Sequence, residues 1–439
     1  MRKNLILPLI GIIFLGAFLR LYGISDQPPL SDEVRVAFSA VHYMEDGQFG
    51  PIMWYHPNLR NILIYRIGDV LGYSPYALRG MSLLAGILSI PLTGILLYVL
   101  TKNKTASLLS AFLVSVEQVH ITFSRQAIQE TWTTFFFLLG ILFAVLYFKR
   151  ESASPPFNSP LSKGGHKGVK EGLGGLSTLI LILSGIAFGL GIASKFHAIP
   201  PLIIMLFTGF YLSWKESSFS KGIFILSCLI FIPLIIYLLT YIPWFGRGYG
   251  IADWFEMQKV LFSKMMTHAG NPMDQVVDTQ AWQWFLRPMG YANFVHFGDM
   301  PFVTVAFSNP FVWLLVLPST LFVTWRHVIK RSPEHEEKFG IVFLLLLFVF
   351  SYLPLAVSPR PIWLLSSLAV LPFAFMIVSL AVSEWTGAVK WDNKALLGYI
   401  VITLLSSLAL YPMAVGKGKY YGYLNVIVER FRPPFEKMR

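Results

Sequence analysis

Apolar runs recur along the whole chain, separated by short polar or Gly/Pro-bearing stretches. Crossing the roughly 30 Å hydrocarbon layer of a bilayer takes about 20 helical residues, and these runs approach or reach that length. They are rich in Leu, Ile and Phe and lack the alternation of barrel strands. The pattern predicts membrane helices near residues 5–22, 79–100, 105–122, 131–148, 177–193, 198–214, 222–241, 308–325, 338–357, 363–382 and 395–412. The expected fold is therefore an all-α polytopic bundle of about eleven spans, forming one transmembrane domain over residues 1–439. Met1-Arg2-Lys3 ahead of the first run resembles the start of a signal peptide, but no small-x-small cleavage site follows and Arg20 interrupts instead. The first run reads as an uncleaved span.

The segments between the runs differ in kind. Residues 151–176 are rich in Ser, Pro, Gly and Lys, a composition that buries too little apolar surface to fold, and are expected to be a disordered cytoplasmic insertion. Residues 23–78 and 242–307 are long and mix Trp, Tyr, His, Pro and Arg with carboxylates, as loops that carry function do. With the Arg2-Lys3 end in the cytoplasm, Lys102, Lys104, Lys215, Lys221, Arg326, Arg331, Lys390 and Lys394 all fall inside, and these two segments face outward. The basic tail 413–439 then falls outside, against the same rule. Gly185-x-x-x-Gly189 in an apolar run is a helix-packing signal.

Composition changes the picture little. Hydrophobic residues make up 55% and charged residues 13% of 439, too little polar surface for a water-soluble globule. The net charge of +12 is scattered among the loops, which fits membrane orientation rather than nucleic-acid binding. Cys228 is the only cysteine, which excludes an internal disulfide and a cysteine-based zinc cluster.

The candidate chemistry lies at the outward ends of the spans. Asp32-Glu33 follows Gln27-Pro28-Pro29-Leu30-Ser31; the bland reading is a helix start, with Ser31 as cap and the two carboxylates complementing the dipole. Arg20, Arg79 and Arg125 belong to the same membrane depth. Any one of them can snorkel to headgroups, but three beside an acidic pair suggest a phosphate site, because guanidinium forks hold phosphate oxygens in pairs. His56 reads as part of a packed turn that could also hydrogen-bond a carboxylate or join a metal site. No Asp-x-Asp follows the first span, so no obligatory metal is expected; a divalent cation is an option the residues do not demand.

Ordered blocks carry a family resemblance. Asp32-Glu33-Val34, Trp54-Tyr55-His56-Pro57-Asn58-Leu59, Tyr76-Ala77-Leu78-Arg79, Ser124-Arg125 with Glu130, and Ser194-Lys195-Phe196 appear in sequence. Gln283 to Pro288 with Arg287, Ser308 to Trp313, and Tyr352-Leu353-Pro354 with Ser358-Pro359-Arg360 follow. The set resembles the protein O-mannosyltransferase family of the GT-C glycosyltransferase superfamily. It departs from the family pattern at Asn58, Glu130 and Leu364 to Ser367.

The resemblance implies a GT-C bundle and transfer of a sugar, mannose first, from a polyprenyl-phosphate lipid to an acceptor hydroxyl with inversion, with secreted-protein Ser/Thr as acceptor. Asp32 is then the expected base and Glu33 its companion. Arg79 and Arg125 would take the donor phosphate, with Arg20 and Arg360 behind them and His56, Glu130 and Arg287 in support. The alternatives are transfer to lipid A, another lipid or a cell-wall glycan, and, in another class, a transporter or flippase. Transporters tend to carry repeated halves and midplane charges, and this sequence displays neither.

Overall fold

The structure, a computed structural model, describes residues 3–28, 30–46, 56–152, 167–267, 280–297, 300–330, 335–358, 362–387 and 393–416. Helix α1 (Lys3–Leu21) leads into the first outward segment, which folds as α2 (Ser31–Asp46) and α3 (Leu59–Leu71). Helix α4 (Pro75–Thr101) starts where the Ser74 side chain accepts from the Ala77 N–H with Pro75 in the first turn, and stops at left-handed Lys102 (φ 57°). The next span is broken into α5 (Lys104–Val116) and α6 (Gln118–Ser124), bent by 57°. Helices α7 (Gln129–Ser152), α8 (Lys167–Ser194) and α9 (Ile199–Lys215) follow. Helix α8 reaches ten residues into the stretch expected to be unfolded: beyond Pro160 that stretch holds no further helix-breaking proline.

Helices α10 (Phe219–Leu226) and α11 (Ile232–Leu239) form one span joined by a π turn at Ser227–Phe231. The second outward segment was expected as loop but contains α12 (Ile242–Phe245), α13 (Ile251–Thr267) and an antiparallel hairpin, β1 (Gly290–Phe297) with β2 (Met300–Phe307), in which Gly290 faces Phe307. Aromatic and β-branched residues dominate both strands, and Gly298-Asp299 stands between them in the sequence. This hairpin is the departure from an all-helical chain among the described residues. Helices α14 (Pro310–Trp313), α15 (Val316–Thr324), α16 (His335–Ala356), α17 (Leu371–Trp385) and α18 (Lys394–Val415) complete the bundle.

Among the described residues, eight helices, nine with the bent α5–α6 pair, are long and apolar enough to cross a membrane, and Ile6–Leu21 and Leu371–Trp385 are shorter apolar helices. All fall on the predicted runs. The last of these is short because Leu364–Ala369 ahead of it winds as a 3-10 turn.

Burial separates the bundle into layers. Every residue from Thr105 to Val116 in α5, and from Leu371 to Ser383 in α17, is buried. The best apolar window of α7 is 72% buried, whereas those of α10–α11 and α18 are 28% buried. Helices α4, α5, α7 and α17 thus form the interior, while α1, α9 and α11 turn Leu7, Phe14, Phe207, Phe210 and Ile235 outward, as lipid-facing helices must. The Gly185-x-x-x-Gly189 signal lies where α8 packs on the π turn and α11: a Cβ on Gly185 would overlap the Cys228 carbonyl oxygen, and one on Gly189 would come within 2.7 Å of Ile236 Cβ.

Candidate active site

Helix α2 begins with Leu30 in the capping position. Its third residue, Glu33, reaches back to accept the Leu30 N–H at 2.8 Å, the reciprocal arm of a capping box. The same carboxylate takes a two-pronged bond from Arg79, Nε to Oε1 at 2.7 Å and Nη2 to Oε2 at 2.6 Å, and Oε1 also accepts the Ala127 N–H at 2.9 Å. Arg79 spends its remaining donors on the carbonyls of Gln27 (2.9 Å), Pro28 (2.8 Å) and Ile24 (3.4 Å). All five of its N–H groups are committed, and both side chains are buried. The phosphate role expected of Arg79 therefore has no free donor to serve it. The pair clamps the first outward segment to α4 and to the start of α7, and the acidic-pair residue Glu33 is structural in this geometry.

Arg20 is absorbed except for Nε, which is buried without a partner. Its Nη1 and Nη2 donate to Ser115 O (3.0 Å), Gly16 O (2.8 Å) and Val114 O (2.9 Å), and Nη2 meets His120 Nδ1 at 2.9 Å. Val114 and Ser115 lie in the last turn of α5, so Arg20 supplies donors that its last carbonyls lack where the span breaks. Arg125, next after α6, differs. Nη1 donates to Arg20 O (2.8 Å) and Tyr22 O (2.7 Å), while Nε and Nη2 are buried without a partner. Burial lowers the Arg125 pKa to about 10, and Arg79 adds to the lowering, yet it stays a cation at neutral pH. Arg20 keeps only Nε unpartnered, so of these three arginines Arg125 retains the most donors for an anion.

A second charged set surrounds the first turn of α7. Glu130 pairs with Lys195, which follows α8, and Gln129 accepts from Arg60 in the first turn of α3. Sequence reasoning left out Lys195 and Arg60; only the Ser-Lys block hinted at the former. His56 is half-buried in the turn ahead of α3, and Asn58 behind it is buried. Arg287 is exposed and donates to Gln283, outside both charged sets. Asp32 lies in the first turn of α2 by its backbone, but its side chain is outside the described residues, as are Trp54, Tyr55, Arg360 and 417–439.

Next to Lys195, Ile192 and Phe196 line an open groove of about 240 Å³ with Leu202, Leu229, Pro233 and Leu234. Its lining is apolar except where Tyr237 and Gln258 stand. Tyr237 donates to Gln258 Oε1 (2.7 Å), and Gln258 Nε2 donates to Tyr241 (3.0 Å), binding α13 over α11. Tyr43 of α2 donates to Thr240 O in the same layer; burial, with Tyr241 adding, pushes its phenol pKa up, so it acts only as a neutral donor.

A helical bundle with two long structured segments between spans, and with buried charge gathered at the span ends beside them, defines a multi-pass membrane protein of the GT-C glycosyltransferase fold. A chain of the S. cerevisiae protein O-mannosyltransferase Pmt1-Pmt2 complex bound to the sugar donor superposes with a TM-score of 0.73 over 95% of this chain and 91% of that one, at 13% identity. The Archaeoglobus fulgidus oligosaccharyltransferase AglB matches with a TM-score of 0.55 over 99% of this chain and 59% of that one, at 14% identity. ArnT from Cupriavidus metallidurans in the apo state gives 0.54 over 99% and 81%, at 10% identity. At such identities the likeness is one of fold.

Residues 48–246 match the family model of the dolichyl-phosphate-mannose-protein mannosyltransferases, the family that the ordered sequence blocks resemble. That segment holds Arg79, Arg125, Glu130 and Lys195 and ends before α13. The polyprenol-phosphate-mannose–protein mannosyltransferase of Corynebacterium glutamicum is 26% identical over 154 residues, which is 32% of this chain and 28% of the length of that protein.

Proposed function

We propose that this protein is a polyprenyl-phosphate-sugar-dependent glycosyltransferase that moves mannose to Ser/Thr hydroxyls of secreted proteins, with inversion, at the face of the cell membrane away from the cytoplasm. The observation that carries the reading is Arg125: a buried guanidinium with two unpartnered donors, inside the family-matched segment, at the outward end of a broken span.

A phosphate leaving group departs as an anion and needs positive charge rather than an acid, which Arg125 supplies. The acceptor hydroxyl needs a base within hydrogen-bond reach, an effect typically contributing about 10²–10⁴-fold. Asp32, one residue before the Glu33–Arg79 clamp, is assigned that role. The apolar groove beside Lys195 suits an isoprenoid tail that stays in the bilayer while its headgroup rises to the charged layer. The scheme calls on no metal.

The test is to reconstitute the purified chain in lipid nanodiscs with radiolabelled polyprenyl-phosphate mannose and either a Ser/Thr peptide or a lipid extract. Label in the peptide is expected. Label in the lipid alone moves the acceptor to the lipid and glycan class, and label in neither overturns the donor.

A further inference from the structure

The proposed reaction leaves one deeply buried acid unused. Glu117 sits at the break between α5 and α6 with an extended backbone (φ −69°, ψ 122°) and is 0% exposed. Its Oε1 accepts from Trp313 Nε1 at 3.0 Å, from the Asn309 N–H at 3.3 Å and from the Val119 N–H at 3.4 Å. Among the described residues it makes no ion pair, and Oε2 has no partner. A carboxyl group at this depth is costly unless it does something an apolar residue cannot.

What it does is tie the bend to the start of α14, and its neighbours extend the link to α18. Asn309 caps α14 through Phe311 N (3.1 Å) and donates its amide to Thr403 O of α18 (3.1 Å). One residue beyond Glu117, Gln118 Nε2 donates to Ser407 O (2.7 Å) and Ser407 Oγ (2.9 Å), also on α18. Arg20 holds the α5 side of the same break. Two turns of α6 lead from here to Arg125, whose side chain, among the described residues, donates to the carbonyls of Arg20, in the last turn of α1, and Tyr22, just beyond it. The direction in which α6 leaves the break thus decides where Nε and Nη2 of Arg125 point.

We propose that Glu117 is a positioning residue: by accepting from Trp313 and Asn309 it sets the α5–α6 bend, and the bend presents the open edge of Arg125 to the donor phosphate. This role rests on the phosphate reading of Arg125. It also gives the Ser308 to Trp313 block a purpose, since its Asn and Trp converge on one carboxyl oxygen.

The test is steady-state transfer by the full chain in nanodiscs, varying polyprenyl-phosphate mannose and peptide acceptor separately. Glu117→Gln keeps an acceptor oxygen and stays within about twofold of the unaltered chain. Glu117→Ala raises the donor KM about tenfold and Trp313→Phe about threefold, with the acceptor KM unchanged in both. A merely structural role would lower the amount of folded protein without this donor-selective split or the rescue by Gln. A folded Glu117→Ala with the ordinary donor KM overturns the role; if that variant does not fold, an unchanged donor KM in Trp313→Phe does so. Arg125→Ala separates the two readings. If it raises the donor KM while the Glu117 and Trp313 variants do not, the phosphate site stands and the positioning role falls; if it leaves donor use unchanged, the phosphate reading falls and this role with it.

Discussion

Arg79 and Asp32 make opposite predictions at the scale of single residues. Removing one partner of a buried, fully hydrogen-bonded ion pair strands the other and costs about 3–5 kcal/mol. Arg79→Ala is therefore expected to lower thermal stability sharply, and Glu33→Ala to do the same, when unfolding is followed in nanodiscs. A stable Arg79→Ala that merely uses its donor poorly would return Arg79 to the phosphate site. Asp32→Asn should leave unfolding unchanged and abolish mannose transfer; turnover near that of the unaltered chain would remove Asp32 from the base role. The arginines themselves were legible in the sequence, because Arg at a span end is conspicuous against an apolar background. Their partners were not. How many donors each guanidinium keeps free depends on where the backbone carbonyls of residues 16, 20–28 and 114–115 end up, and no spacing rule encodes that.

At the scale of elements, Gly185-x-x-x-Gly189 signalled helix packing without naming the partner, which the fold supplies as the π turn and α11, since only small residues let two helix backbones meet. Gly185→Leu forces the Cys228 carbonyl aside, and overpacking of this kind costs about 1–3 kcal/mol. The expected result is a lower melting temperature in detergent micelles, whereas Gly11→Leu, where no atom lies within 4 Å, changes little. A Gly185→Leu protein as stable as the unaltered chain would show that the contact adapts. The break in the third span was hidden for a physical reason: residues 105–122 are uniformly apolar enough for one helix, and Glu117 alone marks the bend. The hairpin, by contrast, had a local signal that the loop expectation passed over: two runs rich in aromatic and β-branched residues flank Gly298-Asp299.

For the molecule as a whole, the apolar periodicity placed the spans and the ordered blocks suggested the superfamily, but the groove arises from packing of α8, α9 and α11 and has no linear signature. If the groove carries the isoprenoid, Leu234→Trp should fill it and raise the KM for a long-chain polyprenyl-phosphate sugar about tenfold while sparing a short-chain analogue. Equal effects on both donors would place the tail elsewhere.

The thin burial of α10–α11 and α18, 28% in each case, has a practical side. Those helices find most of their neighbours among acyl chains, so the bilayer acts as a missing subunit. Solvents that strip lipid will loosen them before they disturb α5 or α17. Activity lost on extraction should then return when lipid is restored, and the choice of detergent will decide whether a purified sample looks dead or alive.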